Sequence, residues 1–208
     1  MDEISIQQYL KDLASKQPVP GGGGSVALVA AVGTALGGMV AGLTSGKKKY
    51  AAVQPEIDTI LHEAEQLRGE MERLIKKDED VFEPLSRAYK LPKSTEEEQA
   101  YKEKVLEENL VFATEVPLEI MRKSMEAIDL HRRLFQTGTK SALSDIGVGV
   151  SFCKAALEGG ALSVYINTQM MKDKDKQSAY NEEAETLLNQ GTDKSNSIYH
   201  QIEAKYKV

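Results

Sequence analysis

From Val19 through Ser45 the chain runs 27 residues without a charge, and a folded protein must hide such a stretch somewhere. By length it passes for a membrane span, which needs about 20 apolar residues. Its makeup points elsewhere. The run opens on Pro20, Gly21, Gly22, Gly23 and Gly24, and the remainder is mostly Ala and Gly rather than Leu, Ile and Phe, so its transfer into lipid is only weakly favourable. The residues in front of it include Asp2, Glu3, Lys11, Asp12 and Lys16. They read as an amphipathic helix over 4–16, not as the basic start of a signal peptide. The run is therefore expected to form a helix over about 24–45 buried in protein, with no membrane insertion. Gly33 and Gly37, like Gly38 and Gly42, stand four apart, leaving a flat strip where a second backbone can approach.

A buried helix needs other helices around it, and the rest of the chain supplies them. Ile57, Ile60, Leu61, Ala64, Leu67, Met71, Leu74, Ile75, Val81, Phe82 and Leu85 recur at steps of mostly three and four, predicting a helix over 55–90 that starts at Pro55 and bends at Pro84. Ser94 or Thr95, with Glu97 and Glu98 three residues on, predicts a capping box. The helix that follows is expected to break at Pro117, resume to about Phe135 and stop at Gly138. Ser144 reads as the N-cap of the next, with Asp145 in its first turn and Ile146, Val150, Cys153, Leu157, Ala161 and Val164 along one side. A charged turn at 172–176 precedes a last helix over 177–206, whose stripe includes Tyr180, Ala184, Leu187, Ile198, Ile202 and Tyr206. No segment alternates as a strand does. The expectation is an all-α fold: a single multihelical bundle, one domain over 1–208, around a buried Gly/Ala-rich helix.

Composition narrows the function. With 208 residues, 41% apolar and 28% charged, the chain is an ordinary soluble domain with a substantial core. A net charge of −6 argues against general nucleic-acid binding, which requires a basic surface. Cys153 is the only cysteine, so no intramolecular disulfide forms and a cytoplasmic location is expected. His62, His131 and His200 are far apart and match no metal-ligand spacing, so no metal site is expected.

Asp78 is the most informative residue. Met71 and Leu74 precede it by seven and four, and Phe82 and Leu85 follow by four and seven, so a carboxylate occupies a place where the pattern calls for Leu or Ile. That is costly unless the group is paired or borders a working cavity. Both alternatives stand on pattern alone: half of a buried ion pair, or a functional acid. The glycines at 21–24 before a helix could direct backbone N–H groups at an anion, or merely cap. They form no dinucleotide fingerprint, since no strand precedes them, and no P-loop. Lys47, Lys48 and Lys49 close the same helix, where they offset its dipole or grip a polycarboxylate.

These residues carry a family resemblance. Pro20-Gly-Gly-Gly-Gly-Ser25-Val26-Ala27 and Leu43-Thr44-Ser45-Gly46-Lys47-Lys48-Lys49-Tyr50 resemble the opening of the formiminotransferase-cyclodeaminase C-terminal family, which also holds stand-alone methenyltetrahydrofolate cyclohydrolases. Asp78-Glu79-Asp80-Val81-Phe82 with Ala88-Tyr89-Lys90-Leu91-Pro92-Lys93 resembles its Asp-Ala-Glu-Ala-Phe block. Glu115-Val116-Pro117-Leu118 fits too, as does Ser144-Asp145-Ile146-Gly147-Val148 leading to Val164-Tyr165-Ile166-Asn167. The chain departs where the family often has Asn, at Thr139, Ser141 and Ser163. The resemblance implies an all-helical homodimer whose substrate is a tetrahydrofolate derivative, with a polyglutamate tail as a further possibility, and no other cofactor. It implies Asp78 as the catalytic carboxylate. The implied binding residues are Gly21, Gly22, Gly23, Gly24, Ser25, Lys47, Lys48, Lys49, Phe82, Ser144, Asp145 and Asn167. The expected reaction is formiminotetrahydrofolate cyclodeamination, giving 5,10-methenyltetrahydrofolate and ammonia, with cyclohydrolase as the alternative. A helical interaction protein without activity and a membrane-attached protein are the rivals.

Overall fold

The computed structural model describes residues 5–207; Asp2, Glu3 and Ile4, which the charge pattern assigns to the front of the first helix, lie outside them. Six α-helices follow in chain order: α1 (Ile6–Leu13), α2 (Gly22–Thr44), α3 (Gln54–Tyr89), α4 (Glu96–Thr137), α5 (Leu143–Thr168) and α6 (Lys174–Glu203). Short 3-10 turns at Lys48–Val53 and Lys140–Ala142 lead into α3 and α5. Helix α2 lies against α3, α5 and α4, while α4 and α5 pack on each other and both receive α6. The uncharged run is thus the hub of an all-α bundle.

The stripes read from the sequence form its core. Ile57, Ile60, Ala64, Leu67, Met71 and Leu74 of α3 are buried, as are Ile146, Val150, Cys153, Leu157, Ala161 and Val164 of α5. Cys153 is a free, buried thiol. The capping box forms at Thr95: its hydroxyl accepts from the Glu98 N–H at 3.1 Å, and the Glu98 carboxylate accepts from the Thr95 N–H at 3.2 Å.

Several boundaries differ from expectation. The glycines are not a loop before α2; the helix starts at Gly22, with Gly21 as its extended N-cap. Ser144 is not a cap but the second residue of α5, whose N-cap is Ala142. Helix α6 starts at Lys174, inside the expected turn, because the Asp173 side chain accepts from the Lys176 N–H at 3.0 Å. Tyr206 is exposed beyond its end. Helix α3 runs through Pro84, and α4 runs unbroken through Pro117. An internal proline deprives the carbonyl four residues earlier of its donor. At Pro117 that carbonyl is Ala113's, and the Asn167 side-chain N–H supplies the missing bond at 2.8 Å. A tertiary contact has replaced the lost local one.

Of the glycine strip, Gly33 and Gly37 are consumed inside the bundle, while Gly42 stays exposed. A Cβ on Gly33 would stand 2.9 Å from the Gly149 carbonyl oxygen and 2.8 Å from the Cys153 Sγ, so α2 and α5 cross at backbone contact. The His131 ring of α4 fills the same crossing, with Nε2 3.0 Å from the Gly33 oxygen. The side of the α2–α5 pair turned away from the core is apolar and exposed: Val29, Val32, Met39 and Leu43 on α2, and Val148, Phe152, Leu162 and Ile166 on α5.

Candidate active site

Where α2 begins, α3 runs past it close enough to bring Asp78 onto its first turn. A Cβ added to Gly23 would stand 2.1 Å from one Asp78 carboxylate oxygen and 2.7 Å from the other, so only glycine admits the carboxylate there. At Gly24 a Cβ would lie 3.6 Å from the Ile75 carbonyl oxygen, which shows how near the two backbones pass. Residues 22–24 belong to the turn whose N–H groups have no partner within the helix, and the positive end of the α2 dipole faces the carboxylate.

Asp78 opens into a cavity of about 220 Å³ lined by Pro18, Val19, Gly21, Gly22, Gly23, Val81, Phe82, Ala113, Pro117, Ser163, Ile166 and Asn167. The lining comes from the approach to α2 and its first turn, and from α3, α4 and α5. Burial pushes the Asp78 carboxyl above its ordinary range; a backbone hydrogen bond from Gly24 opposes the shift, and the charge of Glu79 adds to it. No lysine, arginine or histidine forms an ion pair with it among the described residues. The buried ion-pair alternative therefore gives way to the cavity alternative. A partly desolvated carboxyl, shifted toward neutrality and without a cation, is suited to passing protons and to facing a positive reacting centre.

The structure divides the other sequence-predicted residues. Gly21, Gly22, Gly23, Phe82 and Asn167 lie on the cavity wall with Asp78. Gly24 and Ser25 stand behind it: the Ser25 hydroxyl donates to the Gly21 carbonyl at 2.8 Å and lies 3.4 Å from the Tyr9 hydroxyl, so its role is to hold the first turn. Lys47, Lys48, Lys49, Ser144 and Asp145 are at the opposite end. The length of α2 alone, at about 1.5 Å per residue, puts the lysines roughly 33 Å from Gly22. There Lys47 donates to Thr139 at 3.4 Å, the Thr139 and Ser141 hydroxyls lie 3.1 Å apart, and Lys49 lies over the Tyr50 ring. Within one chain these residues do not join the Asp78 cavity.

Pro18, Val19, Val81, Ala113, Pro117, Ser163 and Ile166 complete the wall, and none of them stands out from pattern as a site residue. Ser163, a departure from the family pattern, stands one helical turn before Asn167 on α5, inside the cavity. Its position relative to Asn167 was the available signal. A larger depression between α3 and α4, about 480 Å³, is lined by Glu63, Glu70, Lys123, Glu126, Asp129 and Arg133 among others. Its charges are engaged with one another or with neighbours, as in Lys123–Glu70 at 2.8 Å and Lys194–Asp129 at 3.0 Å. It is a solvated ion-pair groove.

An all-helical bundle that sets a carboxyl without a countercharge against a glycine helix start is built for proton transfer beside a positively charged centre. The chain belongs to the formiminotransferase-cyclodeaminase family, whose model matches residues 5–186. It is 37% identical over 201 residues to the methenyltetrahydrofolate cyclohydrolase of Methylorubrum extorquens, covering 97% of each chain. Against the formimidoyltransferase-cyclodeaminase of Rattus norvegicus it is 28% identical over 171 residues, 82% of this chain but 32% of that longer protein. The crystal structure of formiminotetrahydrofolate cyclodeaminase from Thermotoga maritima superposes with a TM-score of 0.82 at 28% identity, covering 96% of this chain and 98% of that one.

Proposed function

We propose that this protein hydrolyses 5,10-methenyltetrahydrofolate to 10-formyltetrahydrofolate, with Asp78 as the proton carrier. The observation that carries the reading is the Asp78 carboxyl, held without a countercharge on the first turn of α2 and facing a cavity. The choice of hydrolysis, in place of the cyclodeamination expected from the sequence, is supported by the end-to-end match to a stand-alone cyclohydrolase at the higher identity. In the proposed reaction water adds to the methenyl carbon of the amidinium cation. Asp78 accepts a proton from that water, and its negative charge stabilises the cation before attack. The carbon–N5 bond then breaks as N5 takes a proton and the added hydroxyl loses one to become the formyl oxygen, with one proton released overall. General acid–base help of this kind is worth about 10²–10⁴ in rate.

Cyclodeamination is the second reading, favoured by the fold match to the Thermotoga maritima enzyme. There N10 attacks the carbon of the protonated formimino group, Asp78 carries the N10 proton to the leaving amine, and ammonia departs to leave the methenyl cation. Neither route draws on a further cofactor. A spectrophotometric assay offering 5-formimino- and 5,10-methenyltetrahydrofolate separately distinguishes them: loss of the methenyl chromophore supports hydrolysis, and its appearance from the formimino substrate supports deamination. Flat traces with both would reject the folate assignment.

The protein is further proposed to be a cytoplasmic homodimer, paired through the exposed α2–α5 face. Its residues Val29, Val32, Met39, Leu162 and Ile166 form an apolar surface of the kind that isologous interfaces cover. An antiparallel two-fold pairing there would bring Lys47, Lys48 and Lys49 of a second copy toward the cavity mouth. A Met39→Lys, Leu162→Lys variant should sediment as a monomer near 22.9 kDa, and wild type already monomeric at micromolar concentration would remove the proposal.

A further inference from the structure

Two prolines lie inside long helices, and their surroundings differ. Pro84 is exposed, and the carbonyl it frees belongs to Asp80 on an exposed part of α3, where solvent can supply a donor. Pro117 and Ala113 are both buried, so the carbonyl freed there needs a protein donor, and Asn167 provides it at 2.8 Å. That bond has a direction. A carbonyl oxygen only accepts, so the Asn167 amide must turn its NH₂ to Ala113 and cannot take the flipped orientation. Its oxygen is left over. Among the described residues no protein group donates to it, and Asn167 stands on the cavity wall. Ser163, one turn earlier on the same helix, repeats the logic: its hydroxyl donates to the Gly159 carbonyl at 3.1 Å, leaving lone pairs on a second cavity-lining residue.

We propose that Pro117 is a positioning residue for the site: by stripping the Ala113 carbonyl of its helical donor it locks the Asn167 amide, whose oxygen then accepts from an N–H group of the bound folate. The wall formed by α5 thus offers acceptors, and with Asp78 opposite it the cavity selects a ligand rich in N–H donors or positive charge. This assignment rests on the folate reading above. The family resemblance marked Asn167 as a binding residue but supplied neither its polarity nor a part for Pro117 beyond the motif.

A double-mutant cycle tests both halves, read by thermal unfolding and by steady-state hydrolysis of 5,10-methenyltetrahydrofolate. Asn167→Leu leaves the Ala113 carbonyl without a donor and removes the acceptor. It should lower Tm and raise KM about tenfold, the scale of one lost hydrogen bond, with a smaller change in kcat. Pro117→Ala gives the helix its own donor for that carbonyl. Combined with Asn167→Leu it should restore Tm to at least the wild-type value while KM stays high. Stability is then coupled between the two positions and substrate affinity is not rescued. If Asn167→Leu alone does not fold, the double variant still reports KM. Unchanged KM in either variant overturns the ligand contact, and Tm effects that simply add overturn the Pro117 lock. Wild type inert toward both the methenyl and the formimino folate would instead reject the substrate reading, while the Tm cycle would still decide the lock.

Discussion

The two ends of α2 carry the sequence blocks that most resemble a folate enzyme, and the fold treats them in opposite ways. At its start the backbone is stripped to glycine, a carboxyl from α3 sits on the first turn, and four chain segments enclose a cavity. At its end are three lysines in solvent, a hydroxyl pair, and an α5 first turn that lies outside the Asp78 cavity. Both ends looked equally functional as motifs. What separates them is enclosure: a charge changes its chemistry when water is removed from it, and only the Asp78 end removes water. An exposed ammonium acts at a distance and is screened by salt.

The contrast breaks most sharply at Asp78. Asp78→Asn keeps the shape and removes the proton carrier, so kcat is expected to fall at least about a hundredfold. The sign of its stability effect is equally telling. A carboxyl whose folded pKa is raised is best accommodated protonated, so its favourable contribution is present below the unfolded value near 3.9 and is lost as pH rises through the folded value. The Asn variant should therefore unfold no earlier than wild type at pH 7, and an early melt with normal turnover would return Asp78 to a structural role.

Gly23→Ala should come next, because the added carbon competes for the space of the carboxylate itself. We expect a loss of about tenfold or more in kcat/KM, of the order that misplacing a catalytic group costs; Gly22→Ala, with nothing within 4 Å of its Cβ, serves as the control and should fold normally. Equal effects at the two glycines would mean that helix entry, not Asp78, is what the run serves.

Between the ends lies the α2–α5 crossing, where His131 sets a pH limit on the whole scaffold. Burial pushes its imidazole down to about 4, against the smaller opposing effect of its Gly33 hydrogen bond. The unfolded chain protonates near 6.5, so this contribution to stability is complete above that pH and is lost as pH falls toward 4, at about 1.4 kcal/mol per unit. Urea midpoints measured from pH 7 to 5 should fall, and His131→Gln should flatten that dependence. A slope unaltered by the substitution would place the acid sensitivity elsewhere.

The smallest effect belongs to the lysines. Replacing Lys47, Lys48 and Lys49 by Gln should leave kcat within about twofold and raise KM about threefold for a polyglutamylated folate at low salt, a steering effect that fades as salt is added. The monoglutamate should respond less. No change with either substrate would reduce the trio to offsetting the dipole of α2.

The sequence by itself determined the helical class and the hub, and it singled out Asp78. A period of 3.6 in apolar residues is a local property, as is an uncharged run, and one carboxylate inside a stripe is conspicuous because its neighbours at four and seven are all apolar. Thr95 and Glu98 were legible for the same reason, since a capping box closes within four residues. Tertiary structure decided what depends on distant groups. Pro117 should have broken α4 on local grounds, and it does not, because Asn167, 50 residues later, satisfies the carbonyl it orphans. Ser144 looked like a cap, yet α5 begins before it. The flat face of Gly33 and Gly37 was visible, but not that α5 and α4 would occupy it, which leaves Val29, Val32 and Met39 as the uncovered side. Above all, Lys47 is nearer to Asp78 in sequence than Gly23 is, yet it lies a whole helix away while Gly23 meets the carboxylate. A helix turns sequence separation into length, and only packing against other helices converts length into neighbourhood.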